Sequence, residues 1–328
     1  MPKTVRIHET GGPDVLRIED LPVGDPGPGE IRIRVRSIGL NRSEAIYRSG
    51  KYLIPAKLPS LMGYEAFGTV DALGPGVQGH APGDPVCVIP TYRLGEYGVY
   101  AESAIVPARS VFAAPPGLTP AQACSIWMAY LTAYAIIEVA KVGIGDHVLI
   151  PAASSSVGLA AIQLATWAGA IPVALTRHSA KAAALREHGA QHVIATEETD
   201  VVAEVMRITH GRGARTAFDP VGGPFVEKLC NALAEEGILF IYGSLSNQPT
   251  PYPHWPVALK GLFIRGWVFS AISNKPERFA KVRATIAAGL ASEHLKPVIA
   301  KTFTLDQIAD AHAYLESNQQ VGKVVVTV

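Results

Sequence analysis

Beyond about residue 121, short apolar runs alternate with Ala-rich stretches whose apolar positions recur at helical spacing. The pattern predicts strands at 147–152, 171–175, 192–194, 214–219 and 237–242, and helices at 157–168, 179–188, 200–209 and 224–234. Each helix closes near a glycine (Gly169, Gly189, Gly211, Gly237), the residue that best ends one. A sixth strand is expected near Leu262–Trp267. Such alternation implies a parallel sheet with helices on both faces. The chain before residue 121 is different: rich in Gly and Pro, with short β-branched runs such as Glu30–Arg36, where apolar and charged residues alternate strictly. That is the mark of half-exposed strands in an irregular, barrel-like β domain. The tail holds a helix after Pro276, another near Asp306–Glu316, and a closing strand, Gly322–Val328, expected to return to the first domain. The fold class is therefore α/β, with a β-rich domain over 1–122 completed by 270–328 and a doubly wound domain over 123–269. No internal repeat or low-complexity segment interrupts it.

One turn stands out against this pattern. The strand His147–Ala153 passes through Ser154-Ser155-Ser156-Val157-Gly158 straight into a helix with Val157, Ala161, Leu164, Ala165 and Ala168 on one face. A strand that enters a helix through small residues lets phosphate oxygens reach the first free backbone N–H groups. The glycines of the G-x-G-x-x-G fingerprint are missing, and serine, the next smallest polar residue, stands in their place. About twenty residues on, an NAD site carries an acid for the ribose 2′-hydroxyl. Here the next strand ends in Thr176-Arg177-His178-Ser179-Ala180-Lys181. Two cations and two hydroxyls suit a 2′-phosphate, which points to NADPH. The other reading of that segment is a solvated strand end before a helix capped by Ser179.

Composition narrows the class. With 328 residues, 48% hydrophobic and 17% charged, the chain has material for two packed cores. A net charge of +1 without basic clusters argues against a nucleic-acid or membrane-surface partner. No apolar signal core or run of about eighteen apolar residues occurs, and a cytoplasmic location is expected. Three dispersed cysteines (Cys87, Cys124, Cys230) fit a reducing compartment.

The segments Ser37–Glu44, Gly63-Tyr64-Glu65-Ala66-Phe67-Gly68, Ala152–Leu159, Phe218–Gly223 and Gly322-Lys323-Val324-Val325 resemble the medium-chain dehydrogenase/reductase superfamily. The likeness covers essentially the whole chain and is greatest to its quinone oxidoreductase, zeta-crystallin-like branch. It implies a GroES-like catalytic domain and a Rossmann domain, with alcohol dehydrogenase-like architecture. Where the zinc enzymes of that superfamily place a Cys, a His and a second Cys, this chain has Asn41, Tyr64 and a residue near Met128. An amide, a phenol and a thioether cannot replace two thiolates and an imidazole around Zn²⁺, so a zinc-independent enzyme is expected. Nor do His188 and His192 share a helix face, because Gly189 should end the helix between them. Glu65 is expected to be a buried structural acid, paired with an arginine or with backbone N–H groups.

Without a Lewis acid, a conjugated acceptor is the easier substrate, because charge spreads to the carbonyl oxygen as hydride attacks the β-carbon and donors suffice to hold it. The expected activity is NADPH-dependent reduction of a quinone or an α,β-unsaturated carbonyl compound. The alternatives are an alcohol or aldehyde dehydrogenase of the same superfamily and a cofactor-binding protein of low turnover. Three donors are candidates. Tyr52 matches the position of the proposed catalytic tyrosine of the related enoyl thioester reductases, and Tyr64 and Asn41 stand in the vacated ligand positions. Solvent as the proton source, with both tyrosines as an aromatic wall, stays open. The resemblance further implies that Ser155, Ser156 and Val157 lie against the pyrophosphate, and that Thr132 meets the carboxamide. Thr176, Arg177, Ser179 and Lys181 would hold the 2′-phosphate. Asp219, Val221, Gly243 and Ser244 sit at strand ends, and Leu245, Trp267, Val268 and Phe269 form the nicotinamide wall. Asn318 and Lys323 follow as C-terminal contacts. The substrate mouth is expected from Tyr47, Tyr52, Tyr64, Tyr92 and Trp267, and a homodimer through the Leu259–Phe269 edge strand. Whether the serine pair crowds the pyrophosphate or adds a hydrogen bond is open.

Overall fold

The computed structural model describes residues 1–328 and divides them into two compact units, Met1–Met128 with Pro297–Val328, and Ala129–Lys296.

The first unit is built on antiparallel sheet. Glu30–Gly39, the alternating segment, buries Ile31, Ile33 and Val35 on one face while its charged residues turn outward. It pairs with Glu65–Leu73, Ser103–Pro107 and, at its end, Lys323–Thr327, with Val325 opposite Gly39 and Thr327 opposite Ser37. The C-terminal strand thus returns to the first unit, as its apolar pattern leads one to expect. Ile299–Thr304 extends the sheet on one side, Pro85–Val88 and Val111–Ala113 on the other. Leu16–Asp20, Lys3–Ile7 and Ser60–Leu61 make a small second sheet. Two helices bury polar side chains in this unit: Arg42–Arg48 contributes Glu44 and Arg48, and Ile308–Glu316 contributes His312.

The second unit is one parallel sheet of six strands: β1 His147–Ile150, β2 Ile171–Thr176, β3 His192–Ala195, β4 Ala214–Asp219, β5 Leu233–Ile241 and β6 Phe263–Gly266. Their order across the sheet is β3-β2-β1-β4-β5-β6. The order reverses between β1 and β4, the switch point where open α/β sheets bind ligands beyond the strands' carboxyl ends. Leu149, Val173, Leu175, Ile194, Val205, Leu229 and Leu239 fill the core under the flanking helices. Full burial of each such side chain stabilises by about 1.5–3 kcal/mol.

Three elements differ from the sequence reading. The helix expected at 179–188 is a turn of 3-10 helix, Ser179–Lys181, followed by Ala182–Glu187, and Gly189 at φ +102° stops it. Strand β5 starts at Leu233, immediately after the helix Phe225–Ala232, and not at Gly237. The helix Pro276–Ala291 groups with the second unit, not with the first. Arg278 forks onto both oxygens of Glu138 at 2.6 Å and donates to Ala271 O. Gly289 also passes so near Leu295 and Trp167 that a Cβ there would lie 2.7 and 2.9 Å from them.

Candidate active site

In the second unit the turn after β1 carries the expected geometry. Ala152 adopts φ +48°, a left-handed conformation that costs a residue with a Cβ about 1–2 kcal/mol and reverses the chain into the helix Ser156–Trp167. Gly158 keeps one role of the fingerprint glycines, because a Cβ there would sit 2.6 Å from Ala153 O and push the helix off the strand. Ser155 is the N-cap: its Oγ accepts the Gly158 N–H at 3.0 Å, which leaves the hydroxyl proton to donate to a phosphate. The N–H groups of Ser156 and Val157 lie in the first turn, where a helix offers no internal acceptor.

Beside this turn, the Lys181 ammonium donates to Ser154 Oγ at 2.9 Å, which joins the segment after β2 to the turn after β1. Burial and the neighbouring Arg177 hold Lys181 below its usual pKa. Two like charges kept this near each other favour an anion between them. Arg177 is exposed and Thr176 half-buried at the strand end. Ser179 departs from the expectation: its N–H donates to Glu198 Oε1 at 3.0 Å and its hydroxyl also bonds that carboxylate, so it is engaged by an acid.

The remaining expected contacts of this unit sort by burial. Asp219 is fully buried and accepts the N–H groups of Val221 and Gly222 at 2.8 and 2.9 Å, so it shapes the loop after β4 from within. Val221 spends its N–H on Asp219 and its carbonyl on Ser246 N. Gly243 closes on Pro220, where a Cβ would meet Pro220 O at 2.8 Å. Ser244 is exposed and Leu245 half-buried in the same loop. Trp267 corrects the reading of it as wall and mouth. It is 3% exposed, its indole N–H donates to Thr132 O at 2.9 Å, and it ties the helix Trp127–Ala133 to the strand end 135 residues later. Val268 is exposed and Phe269 half-buried beyond it.

In the first unit the polar groups form two clusters. In one, Lys323 Nζ donates to Asn41 Oδ1 at 2.7 Å and to Glu65 Oε2 at 2.8 Å, and Glu65 Oε1 accepts the N–H groups of Trp127 and Met128. Glu65 is the buried structural acid expected, though its cation is a lysine. This cluster corrects two other readings. Lys323 is 1% exposed and committed to internal partners, so it is no cofactor contact. Asn41 is 6% exposed, its oxygen taken by the ammonium and its Nδ2 donating to Gly39 O, so it is not poised as a substrate donor. Asn318, also read as a contact, is exposed at φ +58° and accepts from Arg42 Nη2 at 3.0 Å.

The second cluster went unforeseen. Glu44, buried in the helix Arg42–Arg48, accepts from Asn41 N, Tyr64 N and the Tyr100 hydroxyl at 2.6–2.7 Å. Burial pushes its carboxyl up to about 7, against the pull of those donors. Tyr100 in turn meets His312 Nε2, and Arg48 Nη1 meets His312 Nδ1, both at 3.1 Å. A guanidinium only donates, so Nδ1 accepts and Nε2 carries the ring proton. Burial, with Arg48 adjacent, holds His312 down to about 3 and therefore neutral. Only the polar types of Arg48, which ends its helix, and His312, inside its own, hint at this in the sequence.

Of the tyrosines, Tyr52 is half-buried with its ring edge-on to Tyr47 at 6.2 Å between centroids, and Tyr64 is buried with its hydroxyl accepting the Leu94 N–H at 3.3 Å. Burial raises both pKa values, so both are protonated at neutral pH. Tyr47 and Tyr92 leave the expected mouth. Tyr47 is buried with its hydroxyl on Ser60 Oγ at 2.8 Å, and Tyr92 is buried with its hydroxyl on the carbonyls of Gly63 and Tyr64.

Comparison with known proteins matches this division. The Alcohol dehydrogenase GroES-like domain family model matches residues 27–116, and the Zinc-binding dehydrogenase model matches 156–288. The chain is 30% identical to a 2-haloacrylate reductase of a Burkholderia species, over 98% of this chain and 97% of that one. It is 29% identical to a quinone oxidoreductase of Pseudomonas aeruginosa, with 99% of each covered. Among solved structures, the Escherichia coli quinone oxidoreductase complexed with NADPH superposes with a TM-score of 0.92 at 27% identity, over 99% of this chain and 100% of that one.

Proposed function

We infer the chemistry of this chain from the family to which it belongs, the zinc-free quinone oxidoreductase branch of the medium-chain dehydrogenase/reductase superfamily. It is an NADPH-dependent oxidoreductase that acts on a quinone or an α,β-unsaturated carbonyl compound. The observation that carries the cofactor reading is the donor set at the end of β2. Arg177 and Lys181 stand beside a capped helix N-terminus, and the residue that follows Thr176, where an NAD site keeps its acid, is Arg177. Such a set suits the 2′-phosphate and pyrophosphate of NADPH, which when bound supplies a hydride. Arg177 and Lys181 would take the 2′-phosphate, and Ser155 Oγ with the N–H groups of Ser156 and Val157 the pyrophosphate.

What this chain's side chains add is the proton. A conjugated acceptor that gains hydride at its β-carbon becomes an enolate, whose oxygen needs a donor and whose α-carbon needs a proton. Tyr52, half-buried and neutral, supports that role without tuning, because a phenol is protonated across the working range. Asn41, Tyr64 and Met128 are not zinc ligands by type, and the ammonium of Lys323 already holds the Asn41 oxygen.

Reaction with C4-deuterated NADPH and a simple enone is expected to place deuterium on the β-carbon, read by NMR of the product. Label on the carbinol carbon would instead establish the alcohol dehydrogenase reading. Arg177→Ala is expected to weaken NADPH binding by about 1–3 kcal/mol and leave NADH nearly unchanged, because a charge-assisted contact to the 2′-phosphate is lost. Titration calorimetry with both nucleotides checks it, and equal weakening of the two would sink the assignment.

No helix is long and apolar enough to cross a membrane. A cytoplasmic location belongs to the same reading, supported by three free, buried cysteines. So does a homodimer. Strand β6 is the sheet's edge, shorter than the apolar run suggested because His254–Lys260 is helical. Phe263 is 60% and Leu259 78% exposed there, and an apolar edge of this kind is normally covered. A single-chain mass in sedimentation velocity would remove the dimer.

A further inference from the structure

Tyr52 stands on the end of the short helix Arg42–Arg48. Its ring meets Tyr47 of that helix edge-on, with centroids 6.2 Å apart. The N–H groups of Ser49, Gly50 and Lys51 bond back to Ala45 O, Tyr47 O and Ile46 O at 3.0–3.1 Å, so the chain stays tied to the helix up to Tyr52. A helix this short does not hold itself in place in water, and here buried polar side chains pin both of its ends. At its start, Glu44 Oε2 accepts the N–H of the capping residue Asn41 at 2.6 Å, and the same carboxylate takes Tyr64 N and the Tyr100 hydroxyl at 2.7 Å. At its end, Arg48 donates to Gly11 O at 3.2 Å, to His312 Nδ1 at 3.1 Å and to Glu316 Oε1 at 2.6 Å. The two ends are joined through the interior. Arg48 leaves the His312 proton on Nε2, that proton meets the Tyr100 oxygen, and the Tyr100 proton meets Glu44. Every bond of this chain points toward the carboxylate.

We propose that Glu44 is a positioning residue for Tyr52: as a carboxylate it fixes the helix Arg42–Arg48, and with it the Tyr52 phenol, against Tyr64 and Tyr100, and on taking a proton from water it loosens that hold. This role rests on the reading of Tyr52 as donor. All three partners meet Glu44 as donors, so a proton on either oxygen sets donor against donor and breaks a bond. Burial brings the carboxyl up to about 7, which places the change near neutral pH. The ionisable groups around it are Tyr64 and Tyr100 in contact, Tyr52 and Tyr92 at longer range, and the Lys323 ammonium, with Arg48 and His312 behind Tyr100. Burial raises the four tyrosines and holds His312 down to about 3, so these groups keep their charge while Glu44 changes its own.

The test is the pH profile of kcat for an enone, measured on the full-length protein. In the wild type kcat is expected to fall about tenfold as the pH drops through about 7, within the roughly 10²-fold that a misplacement of about 1 Å can cost. Glu44→Gln, which keeps the shape and cannot ionise, is expected to show the low rate at every pH, with KM for NADPH unchanged. Tyr100→Phe removes one donor to the carboxylate, and the inflection is expected to rise by about one pH unit, because a hydrogen bond to the charged form favours that form. A variant that only loosened the fold would lower the rate and leave the midpoint in place. In Tyr52→Phe the inflection is expected to disappear. An inflection that persists in Glu44→Gln, that stays put in Tyr100→Phe, or that keeps its full depth in Tyr52→Phe overturns the proposal. If Glu44→Gln does not fold, the Tyr100→Phe midpoint decides. Hydrogen exchange at the amides of Ser49, Gly50 and Lys51 needs no turnover and is expected to quicken in Glu44→Gln above neutral pH. Unchanged exchange overturns the hold on the helix, whereas failure of the reductase reading is seen separately in the deuterium experiment.

Discussion

Lys323→Met is expected to cost about 3–5 kcal/mol of stability, the size of an uncompensated buried charge. Lys323 and Glu65 are 1% and 0% exposed at their side chains, and the ammonium spans Glu65 Oε2 and Asn41 Oδ1. Methionine matches the length of the lysine stem, so packing survives and two buried oxygens lose their donor. Glu65 Oε1 keeps the N–H groups of Trp127 and Met128, which are not enough to neutralise the carboxylate. The site has no slack to rearrange, since a Cβ on Gly39 would already lie 2.0 Å from Cys124 O and 2.8 Å from Lys323 Cε. Urea unfolding of the single variant and of Lys323→Met/Glu65→Leu measures both effects. The double variant is expected to recover most of the loss, because a buried ion pair exchanged for apolar groups of similar volume is often neutral. A loss below about 1 kcal/mol in the single variant would mean that water reaches Glu65.

Tyr52→Phe is expected to lower kcat for an enone by about 10²–10⁴, the usual contribution of a positioned acid. The phenyl ring keeps the edge contact with Tyr47 and removes only the hydroxyl. NADPH affinity is expected to hold, since the cofactor donors lie elsewhere in the chain. Stopped-flow measurement of NADPH oxidation separates the two quantities. A fall smaller than about threefold, well short of that range, would assign the proton to solvent and leave the tyrosines as shape.

Much of this molecule follows from local pattern. The alternation of strand and helix between 147 and 267 is legible because each element carries its own periodicity and its own stop signal, as Gly189 shows at φ +102°. The turn from β1 into its helix is legible for the same reason: Ser155, Ser156, Val157 and Gly158 act within a few residues of one another. So is the cation pair, because Arg177 and Lys181 fall within one strand end. Ser179 is misread from sequence because its partner, Glu198, comes from the next strand's end, 19 residues on.

The polar interior of the first unit is not legible in this way. Asn41, Glu65 and Lys323 each carry a side chain with several possible partners, and their separations are 282 and 258 residues. Arg48 finds His312 across 264 residues, and Tyr100 finds it across 212. A carboxylate or amide will bond to any complementary group that arrives in its pocket, so residue type sets what partner is needed but not which one comes. By itself the sequence determined the elements, the parallel sheet, the turn from β1 into its helix and the lack of zinc-ligand types at Asn41 and Tyr64. Only the tertiary structure decided that Lys323 is a counter-ion, that Trp267 is a tether, and that Tyr47 and Tyr92 turn their hydroxyls to internal partners. Burial requires every polar group to find a partner, and chain topology alone brings distant ones within about 3 Å.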